Sequence, residues 1–379
     1  MISDKSLAWL REDVFPLWLK NGIDQSSGSF IESLTIEGKP TDASRRALVQ
    51  SRQIYSFVTG AKLKSYDHLL TKDIIAKSIQ AFSKNYIQKN GSCLHSVNAQ
   101  GIPQNKDLDL YTQAFALFAF ANAYEMSKDA ALIDEALNIV SYLKSERRAH
   151  GGGYTEIKNN EVMYQSNPHM HLFEAALAWV AIDSSEEWKE LAHELFHLCE
   201  SKFIDKTTGA LCEHFDEGWI PQRTNGHFIF EPGHHYEWAW LMANYQELTG
   251  VECELLRHSL YTLADQHGIN DKHLAVDEVW SNFTVKKGSS RFWPQCERIK
   301  AAVKLGLESS ASVQPSFAKS ADEAMEALFT YLQTPVKGLW QDVIQENGEF
   351  SKQDPKGSSL YHIINAIYEY VMIRPKLQD

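Results

Sequence analysis

Along most of the chain apolar residues recur at i, i+3, i+4 and i+7, the spacing that gathers them on one face of a 3.6-residue helix. The pattern predicts twelve helical segments: 5–19, 44–62, 67–86, 109–124, 129–144, 169–181, 186–202, 234–249, 252–266, 292–305, 316–332 and 359–371. The connections between them alternate. Each even-numbered segment is preceded by a long loop, and each odd-numbered one by a short loop. The long loops carry a turn and a short alternating stretch, at 24–32, 89–95, 151–156, 209–213 and 338–342, with a degenerate copy at 272–285. The result is six helix pairs repeating about every sixty residues, and such self-similarity marks a repeat architecture.

If the even-numbered helices run parallel, all six long loops lie at one end. Six pairs are enough for the array to close on itself, with the even helices as an inner ring and the odd ones outside. An all-α (α/α)6 barrel with short β-hairpins in the long loops is expected, with an open solenoid as the alternative. Inner helices must be apolar on every side, and Tyr111-Thr112-Gln113-Ala114-Phe115-Ala116-Leu117-Phe118-Ala119-Phe120 meets that demand. No shift in composition marks a linker, so residues 1–379 are read as one domain.

Composition narrows the classes of function. The chain is 44% hydrophobic and 11% aromatic, ample for a large core, and its 37 basic and 49 acidic residues leave a net charge of -12. That balance speaks against nucleic acid as a partner, since phosphate neutralisation requires clustered Lys and Arg. No apolar run reaches the length of a membrane span. The N-terminus lacks the basic-then-apolar order of a signal peptide. Cys93, Cys199, Cys212, Cys253 and Cys296 are scattered and odd in number, which argues against a disulfide framework and fits a cytoplasmic location.

Polar residues interrupt the inner helices at one recurring place. Arg52 and Tyr55 lie in the second segment, and Tyr111 and Gln113 open the fourth. Asn167 and His171 open the sixth, and His234 and Glu237 the eighth. Arg291, Trp293, Gln295 and Glu297 open the tenth, and His362 the twelfth. All but the deeper Arg52 sit near a helix N-terminus at the long-loop end, so a closed ring would gather them in one pocket. Each taken singly has a bland explanation: a buried histidine is more often a satisfied core residue, and Arg52 could pair with a helix carboxylate. In Pro232-Gly233-His234-His235-Tyr236-Glu237, Glu237 follows His234 by three residues on one helix face and is expected to orient it. His171, His234 and His362 come from different helices, but no paired-ligand spacing accompanies them, so no metal or other cofactor is expected. Within His169–His171 and His234–His235, only one member of each pair should reach the pocket.

Four motifs together resemble the N-acylglucosamine 2-epimerase superfamily, and within it most nearly the mannose isomerase branch: Pro232-Gly-His-x-x-Glu-Trp238, Asn167-Pro-x-Met-His-Leu-x-Glu174, Arg52-x-x-Tyr-x-Phe57 and Trp293-Pro-Gln-x-Glu297. The resemblance covers essentially the whole chain and implies an (α/α)6 barrel acting on a small monosaccharide. It implies that His234 and His362 form an acid/base pair with His171 and Arg52 beside them. Asn167, Arg223 and Gln341 match sugar-contacting positions, and Tyr111 and Trp293 would offer apolar faces to the ring. The expected reaction is interconversion of D-mannose and D-fructose through a cis-enediol(ate). In that reading His234 opens the sugar ring, His362 moves the C2 proton to C1, and Arg52 and His171 stabilise the developing anion. A sugar 2-epimerase would use nearly the same residues. A glycoside hydrolase would need two carboxylates, for which Glu237 and Glu297 are available. A non-catalytic scaffold would show no converging histidines. A charged C6 substituent would call for an extra loop cation, such as Lys286, Lys287, Arg223 or Lys356. A homo-oligomer is left open.

Overall fold

The structure, a computed structural model, describes residues 2–159 and 161–378. The first segment is α1 (Ile2–Ala8) and α2 (Phe15–Asn21), joined through a π-helical turn over Trp9–Val14. The other eleven follow as α3 (Ala47–Lys62), α4 (His68–Tyr86), α5 (Leu110–Ser127), α6 (Ala131–Glu146), α7 (Ser166–Val180) and α8 (Glu186–Leu198). After them come α9 (Pro232–Thr249), α10 (Glu254–His267), α11 (Phe292–Glu308), α12 (Gln314–Tyr331) and α13 (Leu360–Ile373). Local chemistry sets their ends. Asp67 and Asp109 accept the amides of Leu70 and Thr112 as N-caps. Pro232 takes the first position of α9, where its missing N–H costs nothing, and Gly250 ends that helix in the left-handed conformation at φ 75°.

Burial separates two kinds of helix. In α5 every residue from Thr112 to Ala123 is buried, whereas α8 buries only the stripe Trp188, Leu191, Ala192, Leu195, Phe196 and Leu198. The odd-numbered helices from α3 onward are of the first kind. They touch in sequence, α3 on α5, α5 on α7, α7 on α9, α9 on α11 and α11 on α13, and α13 packs back on α3. The circuit of contacts therefore closes, with the even-numbered helices outside it. One contiguous apolar core runs from Trp9 to Ile373. Trp18 stacks on Trp340 at 5.3 Å and donates from its indole to the Gly338 carbonyl, tying the first helix to the last long loop.

The strands are short and lie in the long loops. β1 (Arg45–Arg46), β2 (Ser96–Val97) and β3 (Pro103–Asn105) form one antiparallel sheet. β4 (Glu156–Lys158), β5 (Glu161–Gln165), β6 (His214–Asp216) and β7 (Ile220–Pro221) form a second. β8 (Ile229–Phe230), β9 (Glu278–Trp280) and β10 (Val285–Lys287) form a third, and β11 (Ser290–Arg291) pairs with β12 (Val343–Ile344). Hairpins occur within loops, as expected. In addition every sheet joins one long loop to the next, as in Tyr164 with Phe215 and Phe230 with Val279.

A second device fastens five of the six turns to their own inner helices. Gln50 accepts the Phe30 amide at 2.7 Å and donates to its carbonyl at 2.8 Å. Gln113 treats Cys93 in the same way, and Gln295 treats Ala275 so. His169 and His235 accept the amides of Tyr154 and Leu211 on Nε2. Gln113 and Gln295 are therefore turned into the loops rather than toward a central pocket. Their buried amides satisfy backbone groups that would otherwise be stranded. The stretch at 272–285 carries the bridge Ile269 to Ala275, equivalent to those of the copies at 24–32, 89–95, 151–156 and 209–213, whereas in the last loop the equivalent bridge, Ile344 to Phe350, lies beyond 338–342.

Candidate active site

Ten residues line a cavity of about 160 Å³ at the long-loop end of the inner helices: Arg52, Tyr111, Asn167, His171, Glu231, His234, Glu237, Arg291, Trp293 and His362. Eight of the expected site residues thus come together. Each histidine is set by a carboxylate at Nδ1: His234 by Glu213 at 2.9 Å, His171 by Glu174 at 3.1 Å and His362 by Glu297 at 2.8 Å. With Nδ1 so engaged, Nε2 is the nitrogen left for a ligand. His169 and His235 stay out of the cavity and serve as loop clamps. Their pKa values fall to about 4, because burial penalises a charge.

The orienting partner of His234 is Glu213, not Glu237. Glu213 arrives from the loop between α8 and α9, held by the Ser166 hydroxyl at 2.9 Å and the Glu231 amide at 3.2 Å. Glu237 shares a helix with His234, but its Oε1 lies 3.8 Å from Nδ1 of His171. Two other expectations fail on geometry. Arg223 is drawn to Asp205 at 3.0 Å, over the ring of Phe228, and lines a separate cleft with Trp280 and Lys286. Gln341 donates to the Gln333 carbonyl at 3.2 Å and does not reach the cavity. Both side chains belong to loops whose course depends on neighbouring loops.

Electrostatics divides the three cavity histidines. All are buried, which by itself lowers a histidine pKa. For His234 the carboxylates of Glu213 and Glu231 outweigh burial and the pKa rises to about 9. For His171 burial wins over Glu174 and the pKa falls to about 4. His362 is held well below its ordinary value by burial, with the Arg52 and Lys300 charges adding to it. At neutral pH the cavity therefore holds one imidazolium and two neutral imidazoles. Trp293 stands between the opposites, its ring 5.1 Å from His234 and 5.7 Å from His362.

Arg52 is a buried cation in an aromatic cage, 4.4 Å from the ring of Phe115 and 4.7 Å from that of Tyr361. Among the described residues its side chain makes one hydrogen bond, to the Tyr111 hydroxyl at 2.9 Å, and its Nε is unpaired. Cation–π contact offsets part of the desolvation and leaves the donors open to an anion. Arg291, by contrast, is doubly bound, to Glu231 at 2.6 Å and Asp277 at 2.7 Å. The amide oxygen of Asn167 is buried without a partner at the cavity wall. Beneath the cavity lies a buried charged layer. Lys300 is 2.6 Å from Glu297, and the Tyr361 hydroxyl donates to Glu174. Burial and the nearby Glu297 push the Glu237 carboxyl well above its ordinary pKa.

Of these groups, Glu213, Glu231, Glu174, Tyr361 and Lys300 were not among those expected at the pocket, and Arg291 and Glu297 were expected there without an assigned role in the isomerase reading. Glu174, Arg291 and Glu297 stood inside the polar clusters of the inner helices, and Lys300 follows Glu297 at helical spacing. Glu213 and Glu231 lie in loop sequence with no local signal. His171, Glu174 and Glu237, and also Glu237, Glu297 and His362, place potential metal-ligand atoms within 4.8 Å of one another. Their chemistry fits a metal poorly. Lys300 is already paired with Glu297, and burial beside Glu297 favours the protonated form of Glu237.

The N-acylglucosamine 2-epimerase family pattern matches residues 28–366. A mannose-6-phosphate isomerase of Rhizobium meliloti is 33% identical over 367 residues, covering 95% of this chain and 94% of its own. Two solved structures share the fold. A D-mannose isomerase superposes with a TM-score of 0.85 at 19% identity, over 98% of this chain and 97% of that one. A cellobiose 2-epimerase from Bacillus thermoamylovorans gives 0.85 at 17% identity, over 98% of both chains. With the family pattern running from the first long loop into α13 and a relative this similar along nearly its full length, the chain belongs to the N-acylglucosamine 2-epimerase family and is an enzyme acting on sugars.

Proposed function

We propose that this enzyme is an aldose–ketose isomerase interconverting D-mannose and D-fructose, built as a single (α/α)6 barrel over residues 1–379. The observation that carries the reading is the pairing of a cationic histidine with a neutral one across Trp293. One proton donor and one proton acceptor are then present at the same pH, as an enolisation requires.

The sugar ring lies against Trp293 and Tyr111. His234 gives its Nε2 proton to the ring oxygen as the bond from C1 to that oxygen breaks, and takes the proton of the anomeric hydroxyl as C1=O1 forms. His362 removes the C2 proton on Nε2, and the electron pair becomes the C1=C2 bond of an enediolate with its charge on O1. Arg52, whose donors are open, stabilises that charge. The O2 proton passes to O1, His362 returns its proton to C1, and C2=O2 completes the ketose. No net proton is gained or lost. His171, expected beside Arg52 as a stabiliser of the anion, is neutral with Nδ1 held by Glu174, so its Nε2 lone pair suits it instead as an acceptor for a sugar hydroxyl. Asn167 reads another.

A small cavity favours a monosaccharide over a disaccharide held wholly inside. An uncharged C6 is favoured because three of the four loop cations considered for a charged one are engaged, Lys287 by Asp277, Arg223 by Asp205 and Lys286 by Glu278. Five buried, unpaired cysteines fit a cytoplasmic enzyme. No described helix is long and apolar enough to cross a membrane.

Incubation with mannose, glucose, N-acetylmannosamine and cellobiose in deuterated water, followed by NMR, tests the reading. Fructose is expected from mannose, carrying deuterium at C1 to the extent that the proton held on His362 exchanges with solvent before it is returned. A C2 epimer without ketose would replace the isomerase by a 2-epimerase. His362→Ala should abolish exchange at C2, and retained exchange would remove that residue from its assigned role.

A further inference from the structure

Lys300 is a fully buried ammonium one helical turn below Glu297 on α11. Its Nζ lies 2.6 Å from Oε2 of Glu297, while the other oxygen of that carboxylate meets Nδ1 of His362 at 2.8 Å. The three groups form a line from the barrel interior to the cavity. Oxygens of a carboxyl group can accept or, if protonated, donate, and this choice decides which His362 nitrogen carries the proton. If Glu297 accepts, His362 is protonated at Nδ1 and Nε2 has a lone pair toward the cavity. If Glu297 donates, the proton sits on Nε2 and the base is blocked.

We propose that Lys300 is a positioning residue: its ammonium fixes Glu297 as an acceptor, and Glu297 thereby holds His362 in the Nδ1–H tautomer that leaves Nε2 free to take a proton. The inference rests on the isomerase reading for the use of that base, but not for the tautomer itself.

The surroundings make this role necessary. Besides Glu297, the acidic groups around Lys300 are Glu237 of α9 and Glu174 of α7. From α13, Glu369 feels the Lys300 charge, and from α3 Arg52 acts on Glu297. Burial drives Glu237 and Glu297 toward their neutral forms, and at Glu297 the adjacent Lys300 charge opposes this most strongly. Its other face rests on the Trp240 ring at 3.8 Å, so no solvent counter-charge is at hand. A purely structural lysine would need a partner but would have no bearing on a histidine two groups away.

The test uses the full-length enzyme with 15N-labelled histidine, with His362 assigned by the loss of its signals in His362→Asn. In the wild type, Nδ1 of His362 should show the shift of a protonated nitrogen and Nε2 that of an unprotonated one. A wild-type spectrum with the proton on Nε2 overturns the proposal without any variant. In Lys300→Met the two shifts should exchange or average, while those of His171 and His234 hold. In Lys300→Arg, which keeps the cation, they should stay as in the wild type. Exchange at C2 should fall about 10–100-fold in Lys300→Met, the usual cost of losing an orienting partner, with KM changed less than about threefold. Unaltered His362 shifts in a folded Lys300→Met also overturn the proposal. If the tautomer switches but no sugar exchanges in the wild type, it is the isomerase reading that fails.

Discussion

Replacing Glu213 by Gln should convert His234 from an imidazolium into a mostly neutral imidazole, and the size of the effect follows from the geometry. Glutamine is isosteric and keeps an acceptor within reach of Nδ1, so the ring is held while the charge is lost. The bonded atoms are 2.9 Å apart, which places the centres of charge about 4 Å apart. At an effective dielectric of about 20, such a pair is worth about 4 kcal/mol. At about 1.36 kcal/mol per pKa unit this is about three units. The His234 pKa should drop from about 9 to roughly 6. His235, one residue on and equally buried but without a carboxylate at Nδ1, shows the direction, lying at about 4. The imidazolium fraction then falls from about 0.99 to about 0.1 at pH 7, and from about 0.9 to about 0.01 at pH 8. If the cationic form opens the sugar ring, kcat/KM for the aldose should fall about tenfold at pH 7 and about a hundredfold at pH 8, and recover toward wild type near pH 5.5. The assay is a pH series of initial rates for mannose and fructose, with substrate well below KM so that the free enzyme is reported. A variant whose alkaline limb stays near pH 9 would refute the reasoning, since Glu213 would then not be what charges His234.

Three further outcomes follow. Because the folded pKa of His234 is raised above that of the unfolded chain, its pairing stabilises fully below about pH 6.5 and is lost as pH rises through about 9. Thermal unfolding should therefore show a loss of up to about 3 kcal/mol across that window in the wild type, and a much flatter profile in Glu213→Gln. Gly233→Ala would set a Cβ 2.4 Å from the Trp293 ring, so the indole must move; KM for the sugar should rise about as much as in Trp293→Ala, and an unchanged KM would show that the ring does not carry binding. Gln113→Leu removes both bonds to the Cys93 backbone and leaves a buried amide and carbonyl unpaired; chemical denaturation should register a loss of about 2–4 kcal/mol, and a loss below about 0.5 kcal/mol would contradict the clamp role.

Much of this protein is determined locally and is therefore legible in its sequence. The twelve helices follow from apolar periodicity, and the inner ones declare themselves by being apolar all round, as α5 does from Thr112 to Ala123. Placing Arg52, Tyr111, Asn167, His171, His234, Trp293 and His362 near one end follows from the same repeat, because equivalent positions in equivalent helices meet. The tertiary structure alone decided what those side chains touch. Spacing puts Glu237 on the face of His234, yet the charge on His234 comes from Glu213, delivered by a loop that hydrogen bonds to Ser166 and Glu231. Helical spacing likewise could not separate His169 from His171, or Gln113 from Tyr111, into clamps and cavity walls; the backbone groups of the neighbouring turns make that choice. Arg223 and Gln341 went astray for the same reason, since loop side chains follow partners from elsewhere in the chain. Periodicity encodes which face of a helix is turned inward, because burial repays every residue on that face alike. Protonation and orientation depend on single contacts of about 3 Å between distant residues, and only the folded chain brings those together.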